Sequence, residues 1–195
     1  MIPGIDHCFQ MMDKYDMPVH IRAHSILVAR IAMLIASKLD AEGVKISIEK
    51  SVSGALMHDI AKFPCIQSHE DHCQKGREIC ENEGFDEISD IVNEHVVIRN
   101  PIVADEYNEI EIVNYADKRV LHDQIVSLQT RMDDIKVRYL PKCPHIDIPM
   151  FNHHYEICKT VENKLFAKLN FLPQDVPEYL TNIIYSNKGE NHYGI

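Results

Sequence analysis

The chain lacks a basic excess. Its 195 residues carry 20 Lys and Arg against 30 Asp and Glu, a formal charge of -10. A general nucleic-acid binder needs a basic face to displace counterions, so the balance argues against that class. A small phosphorylated substrate stays open, because a metal ion can supply positive charge locally. Long apolar runs are missing too. The longest, Ile31 to Ala36, is far too short to cross a bilayer, so no membrane role is expected. None of the six cysteines forms a C-x-x-C pair, and Met1 to Asp6 shows no basic stretch followed by an apolar one. Cys8, Cys65, Cys73, Cys80, Cys143 and Cys158 are therefore expected to be reduced packing thiols in a cytoplasmic protein. There is also no internal repeat, no low-complexity stretch and no alternation marking a strand.

Helical periodicity is what is present. Apolar residues make up 45% and charged residues 26%, as in ordinary globular domains, and the length allows a sizeable core. Ile5, Phe9 and Met12 predict a short helix over 5–15. Pro18 suits a first turn and opens a helix to about Leu39, with Leu27, Val28, Ile31, Leu34 and Ile35 on its apolar face. His24 shares that face. Ser47 is a plausible N-cap, with Glu49 in the first turn, for a third helix that Pro64 ends. Further helices are expected over 70–83, closed by Gly84, and over 86–97, before a loop at 98–107. One long helix is predicted from Asn108 to Tyr139, with Asn108 and Glu111 resembling a capping box and Asp117 on the inner face. Pro141 to Pro149 reads as a linker. An amphipathic helix over 151–170, a last helix over 177–185 and a fraying tail from Asn187 follow. The expectation is an all-α fold of seven or eight helices, with 1–140 as one domain and 141–195 as a linker and helical extension packed on it. The amphipathic extension is a surface on which a homodimer could form.

Histidine is the unusual residue, at twelve. The chemistry centres on His58-Asp59-Ile60-Ala61-Lys62, which follows the apolar run Gly54-Ala55-Leu56-Met57. A carboxylate at the end of such a run loses hydration, so it must neutralise or meet a cation. A metal ion is the cheapest cation for a His-Asp pair. Ligands projecting inward from several helices make such a site, and His24, His72, His95 and Asp117 are available. Taken singly, a histidine on an apolar face is more often a hydrogen-bonded core residue. A lone buried Asp is rarer. The argument rests on their coincidence.

The order His, His-Asp, Asp at 24, 58–59 and 117 resembles the signature of the HD superfamily of metal-dependent phosphohydrolases. The motifs are Arg22-Ala23-His24-Ser25, Met57-His58-Asp59-Ile60-Ala61-Lys62 and Asn114-Tyr115-Ala116-Asp117-Lys118, and the resemblance covers about residues 18–130. It implies an HD helical bundle in which His24, His58, Asp59 and Asp117 bind a first metal. Binuclear members add two histidines. His72, in a His-x-x-x-Gly pattern with Gly76, and His95, after Asn93-Glu94, match them, and Asp59 would bridge the two ions. His69 competes with His72; the glycine spacing favours His72. Two features depart from named subfamilies. Ala61 stands where the His-Asp-Ile-Gly variant has glycine. Val96 to Arg99 lacks the paired histidines and Gly-Tyr-Pro of the cyclic-dinucleotide phosphodiesterases. The ligand order also resembles that of small bacterial diadenosine-tetraphosphate hydrolases, but the segment after the last histidine does not.

Imidazole and carboxylate donors without thiolate suit iron or manganese, with zinc, cobalt, nickel or magnesium as alternatives. The resemblance implies hydrolysis of a phosphate ester or anhydride of a nucleotide or other small phosphorylated metabolite, by a metal-activated water at a dinuclear site. Lys62, one turn past Asp59, could contact a phosphate oxygen. Arg22 and Lys118 are weaker candidates, since both types are common at solvent-facing positions. Two alternatives stand beside this reading. One is a mononuclear nucleotidase in which His72 and His95 contact substrate. The other is a regulatory HD domain that binds a nucleotide with weak activity. Specificity is expected in the 63–71 and 96–107 loops. The remaining features read as bland: His153-His154 as a solvated face, His122 as pointing away from Asp117, Cys73 and Met11-Met12 as packing, Glu81 to Asp90 as an exposed face.

Overall fold

A computed structural model shows an all-α bundle. It describes residues 1–100, 102–138, 140–142 and 146–186. Cys143 and the tail from Asn187 lie outside the described residues. Helix α1 (Ile5–Lys14) is followed by α2 (Val19–Ala41), which opens at Pro18. α2 is the central helix and packs against α3 (Ile48–Met57), α7 (Glu109–Asp117) and α10 (Val176–Ser186). Neighbours on several sides explain why Val28, Ala29, Ile31, Ala32, Leu34 and Ile35 are all buried rather than one stripe of them. On length and composition alone α2 is apolar enough to cross a membrane, but 56% of its most apolar window is buried against the rest of the chain.

The segment after α3 differs from expectation. The helix stops at Met57 rather than Pro64, and His58 is its C-cap. A turn over 58–61 leads to α4 (Lys62–Ser68). Pro64 lies in the first turn of α4, where a missing N–H costs nothing. The expected 63–71 loop is thus largely helical. α5 (His72–Asn82) starts at Asp71, whose carboxylate accepts from the N–H groups of Cys73 and Gln74. α6 (Asp86–Glu94) ends at its C-cap, His95. α5 and α6 pack closely because Gly76 has no side chain: a Cβ there would stand 2.7 Å from Val92 Cγ1.

The long helix expected from Asn108 to Tyr139 is broken. α7 ends at Asp117, and a two-stranded antiparallel ribbon follows, β1 (Val120–Leu121) and β2 (Gln124–Ile125). The reversal needs a left-handed residue, and His122 supplies it at φ 58°. Arg119 Nε donates to the carbonyl of Val126 at 2.6 Å and holds the ribbon closed. The apolar spacing of Val120, Leu121, Ile125 and Leu128 mimics a continuing helix, which is why periodicity missed the turn. α8 (Leu128–Arg138) then runs to α9 (Ile148–Phe166), which begins inside the expected linker because Asp147 caps Met150 N. Val161, Leu165, Phe171, Val176 and Leu180 join the same core as α2 and α3. Leu128, Met132, Phe151 and Cys158 form a smaller cluster between α8 and α9. Met11 and Met12 are core residues, as expected.

Candidate metal centre

Helix ends carry the site. His58 and His95 are the C-caps of α3 and α6. Each donates its Nδ1–H to the carbonyl three residues back, Ala55 at 2.7 Å and Val92 at 2.6 Å. That fixes the tautomer and turns Nε2 inward, the arrangement of a metal-ligating histidine with its supporting acceptor. His24, on α2, donates from Nδ1 to the carbonyl of His122 at 3.2 Å. His122 was expected to point elsewhere, but the ribbon brings its backbone onto His24.

The inward atoms converge on two carboxylates. His24 Nε2 lies 3.0 Å from Asp117 Oδ1, and His58 Nε2 lies 3.8 Å from the same oxygen and 3.4 Å from Asp59 Oδ2. On the other side of Asp59, Oδ1 is 3.5 Å from His95 Nε2 and 3.6 Å from His72 Nε2. The two Nε2 atoms are 3.3 Å apart. All six expected ligands are therefore together. His69 is not; it is the exposed, left-handed C-cap of α4.

The polar accounting points to a cation. Asp59 is 1% exposed, yet neither its Oδ1 nor His58 Nε2 has a hydrogen-bond partner among the described residues. An orphaned buried polar group costs about 1–3 kcal/mol, and more when charged. Burial alone would raise both carboxyls. Lys62 and His58 nevertheless hold Asp59, and Lys118 and His24 hold Asp117, well below the usual carboxylate range. Burial likewise opposes charge on His58, but Asp59 and Asp117 outweigh it and raise its imidazole. His72 moves the other way, to about 4, through burial and the neighbouring His95. Two ionised carboxylates ringed by four imidazoles, with unmatched donor atoms, fit a divalent transition metal. His24, His58 and Asp59 lie close enough to share one ion; so do His72, Cys73 and His95. Burial, and then Asp71, push the Cys73 thiol up to about 12, so it is a neutral neighbour at pH 7.

The three expected cations have different surroundings. Lys62 Nζ pairs with Asp59 Oδ2 at 2.6 Å and lines a cleft of about 470 Å³ that includes His24 and Asp59. Lys118 is buried, not solvent-facing. Its Nζ donates to Asp117 Oδ2 and to the carbonyl of His95, each at 2.8 Å, so it braces two of the candidate ligands. Arg22 is turned away: its guanidinium pairs with Asp13 at 2.6 Å and donates to the carbonyl of Met17. The sequence reading also missed residues. Arg131 and Arg138 of α8 line the cleft. His154 is only partly exposed; burial, and then Lys118, lower it to about 4, and its Nε2 is 3.7 Å from Cys158 Sγ. It belongs to the inner side of α9 rather than a solvated face. Only the position of α8 and α9 on the bundle reveals these residues.

A family model for the HD domain matches residues 21–128, more than half of the chain. The protein belongs to the HD-domain family. No curated protein and no solved structure gives a significant match.

Proposed function

We propose that the protein is a metal-dependent phosphohydrolase acting on a phosphate ester or anhydride of a nucleotide or small phosphorylated metabolite. The observation that carries this reading is the unmatched pair of buried atoms, Asp59 Oδ1 and His58 Nε2, at the meeting point of four imidazoles and two carboxylates. His24, His58, Asp59 and Asp117 would hold one ion, and Asp59, His72 and His95 a second. Bound there, such ions activate water and offset charge on a phosphoryl group.

The chain's own residues have definable tasks. The carbonyls of Ala55, Val92 and His122 accept from each Nδ1 and so direct each Nε2 toward the carboxylates. Lys62 and Lys118 keep Asp59 and Asp117 ionised. Lys62 is also placed at the cleft wall, where its ammonium can meet a phosphoryl oxygen. The metal-facing side of the cleft therefore accepts an anion even though the whole chain is acidic.

One feature favours a mononuclear variant. The His72 side chain is 29% exposed while that of Asp59 is 1%, so His72 could face substrate rather than an ion. Elemental analysis of anaerobically purified protein, wild type and His72→Ala, separates the readings. Two ions per chain falling to one supports the dinuclear centre. One ion, unchanged, supports the mononuclear one. Absence of metal after reconstitution, with no turnover of any phosphomonoester, diester or anhydride, would leave a binding domain and reject the hydrolase.

A further inference from the structure

The cleft beside the His/Asp cluster has an apolar face. Ile66, on α4, lines the cleft and is 62% exposed. It belongs to neither apolar cluster of the described core. Helix geometry ties it to the cluster. Lys62 opens α4 and pairs with Asp59 Oδ2 at 2.6 Å. Ile66 stands one turn further on, about 6 Å along the axis and on the same face. Ile21 and Ala23, on α2, line the same cleft. Ile21 lies three residues before His24, whose Nε2 is 3.0 Å from Asp117 Oδ1, so it shares the face that carries that imidazole. Aliphatic carbon from two helices therefore begins within one turn of Lys62 and of His24. Charge elsewhere on the wall is of both signs, Arg131 and Arg138 with Asp123, so charge alone does not select what fills it. A single exposed isoleucine is ordinary on a protein surface. Ile66 instead stands on the wall of a cleft of about 470 Å³, the size of a small-molecule site, where it can cover an apolar ligand surface.

We propose that Ile66, with Ile21 and Ala23, seats the organic part of the substrate, a group with an apolar face such as an aromatic or heteroaromatic ring, while the phosphoryl group lies at the His/Asp cluster. This rests on the phosphohydrolase reading above and narrows it to phosphate compounds that carry such a group. Ile66 is then the residue that sets the preference among them, because it is the most exposed of the three and has no packing duty in the core. An inorganic polyphosphate offers no surface for this wall. A ring held there lies one turn of α4 away from Lys62, so the same helix meets the phosphoryl group with its first residue and the organic group with its fifth.

The test uses the full-length protein with its bound metal and two inert probes, methylphosphonate and phenylphosphonate, whose P–C bonds do not hydrolyse. The probes share a headgroup and differ in the ring. Wild type is expected to bind phenylphosphonate at least about tenfold more tightly in calorimetric titration, the size of burying one face of a ring. Ile66→Ser is expected to abolish most of that preference while leaving methylphosphonate affinity within about twofold. Ile66→Leu, which keeps the aliphatic surface, is expected to restore it. Ile66 is exposed, so both variants should fold. No preference for the ring in wild type, a preference that survives Ile66→Ser, or an equal loss for both probes overturns the apolar seat. A ring preference that depends on Ile66, in a protein that turns over no phosphate compound, upholds the seat and rejects the hydrolase reading. Turnover of phosphate esters with ring binding independent of Ile66 does the reverse.

Discussion

The two halves of the His/Asp cluster are held by different means. The half made by His24, His58 and Asp117 hangs on α2, α3 and α7, which pack directly on one another in the centre of the bundle. Both of its imidazoles are braced by backbone carbonyls. The other half, His72 and His95, hangs on α5 and α6. His95 is braced at its ring by Val92, and its carbonyl accepts from Asn114 and Lys118. His72 is the first residue of α5, partly exposed, and no carbonyl among the described residues braces its ring. Ligand rigidity follows core packing: where the helices bury each other, the donor atoms arrive already aimed. The first half should therefore bind its ion more tightly than the second.

Asp59 belongs to both halves, and its loss should have the largest effect. Asp59→Ala is expected to remove all bound metal and bring turnover to background; retained activity with metal would break the assignment of the whole site. His95→Ala is expected to act on one half alone, leaving one ion of two by elemental analysis. A variant that still holds two ions would take His95 out of the centre.

Proton release sharpens the comparison without mutation. Asp59 and Asp117 raise His58 against the opposing effect of burial, so its imidazole keeps a proton to higher pH than usual. An ion entering that half must displace this proton, so its affinity should fall about tenfold per unit as pH drops below the raised value. His72, lowered to about 4 by burial and His95, is already neutral at pH 6 and releases none. Calorimetric titration in two buffers of different ionisation enthalpy should show more proton release with the tighter ion than with the weaker. Equal release from both would remove the distinction. The smallest effect belongs to Arg22→Gln. Its partner Asp13 has a side chain 71% exposed, so the substitution should cost less than about 1 kcal/mol in chemical denaturation and leave metal content unchanged.

The six residues that the fold brings together stood out in the sequence because they are marked locally. His58-Asp59 ends an apolar run, His72 and Gly76 are one turn apart, and Asp117 interrupts the apolar face of α7. Helix periodicity and caps such as Ser47, Asn108 and Pro18 act within a few residues, so those elements could be placed without the fold. The break after Asp117 was not legible, because residues 120–128 keep an apolar spacing that a helix would also use. The hidden residues on α8 and α9 share one cause. Arg131, Arg138 and His154 look like surface positions until the ribbon at 120–125 turns the chain back over α2.

Local sequence thus decided which side chains could ligate and which helices carry them. It did so through short-range physics: periodicity, capping and the cost of burying a carboxylate. Tertiary packing alone decided the rest. It set the carbonyl that braces His24, buried Lys118, turned Arg22 outward and placed an arginine pair on the cleft, because each depends on a contact between residues far apart in the chain.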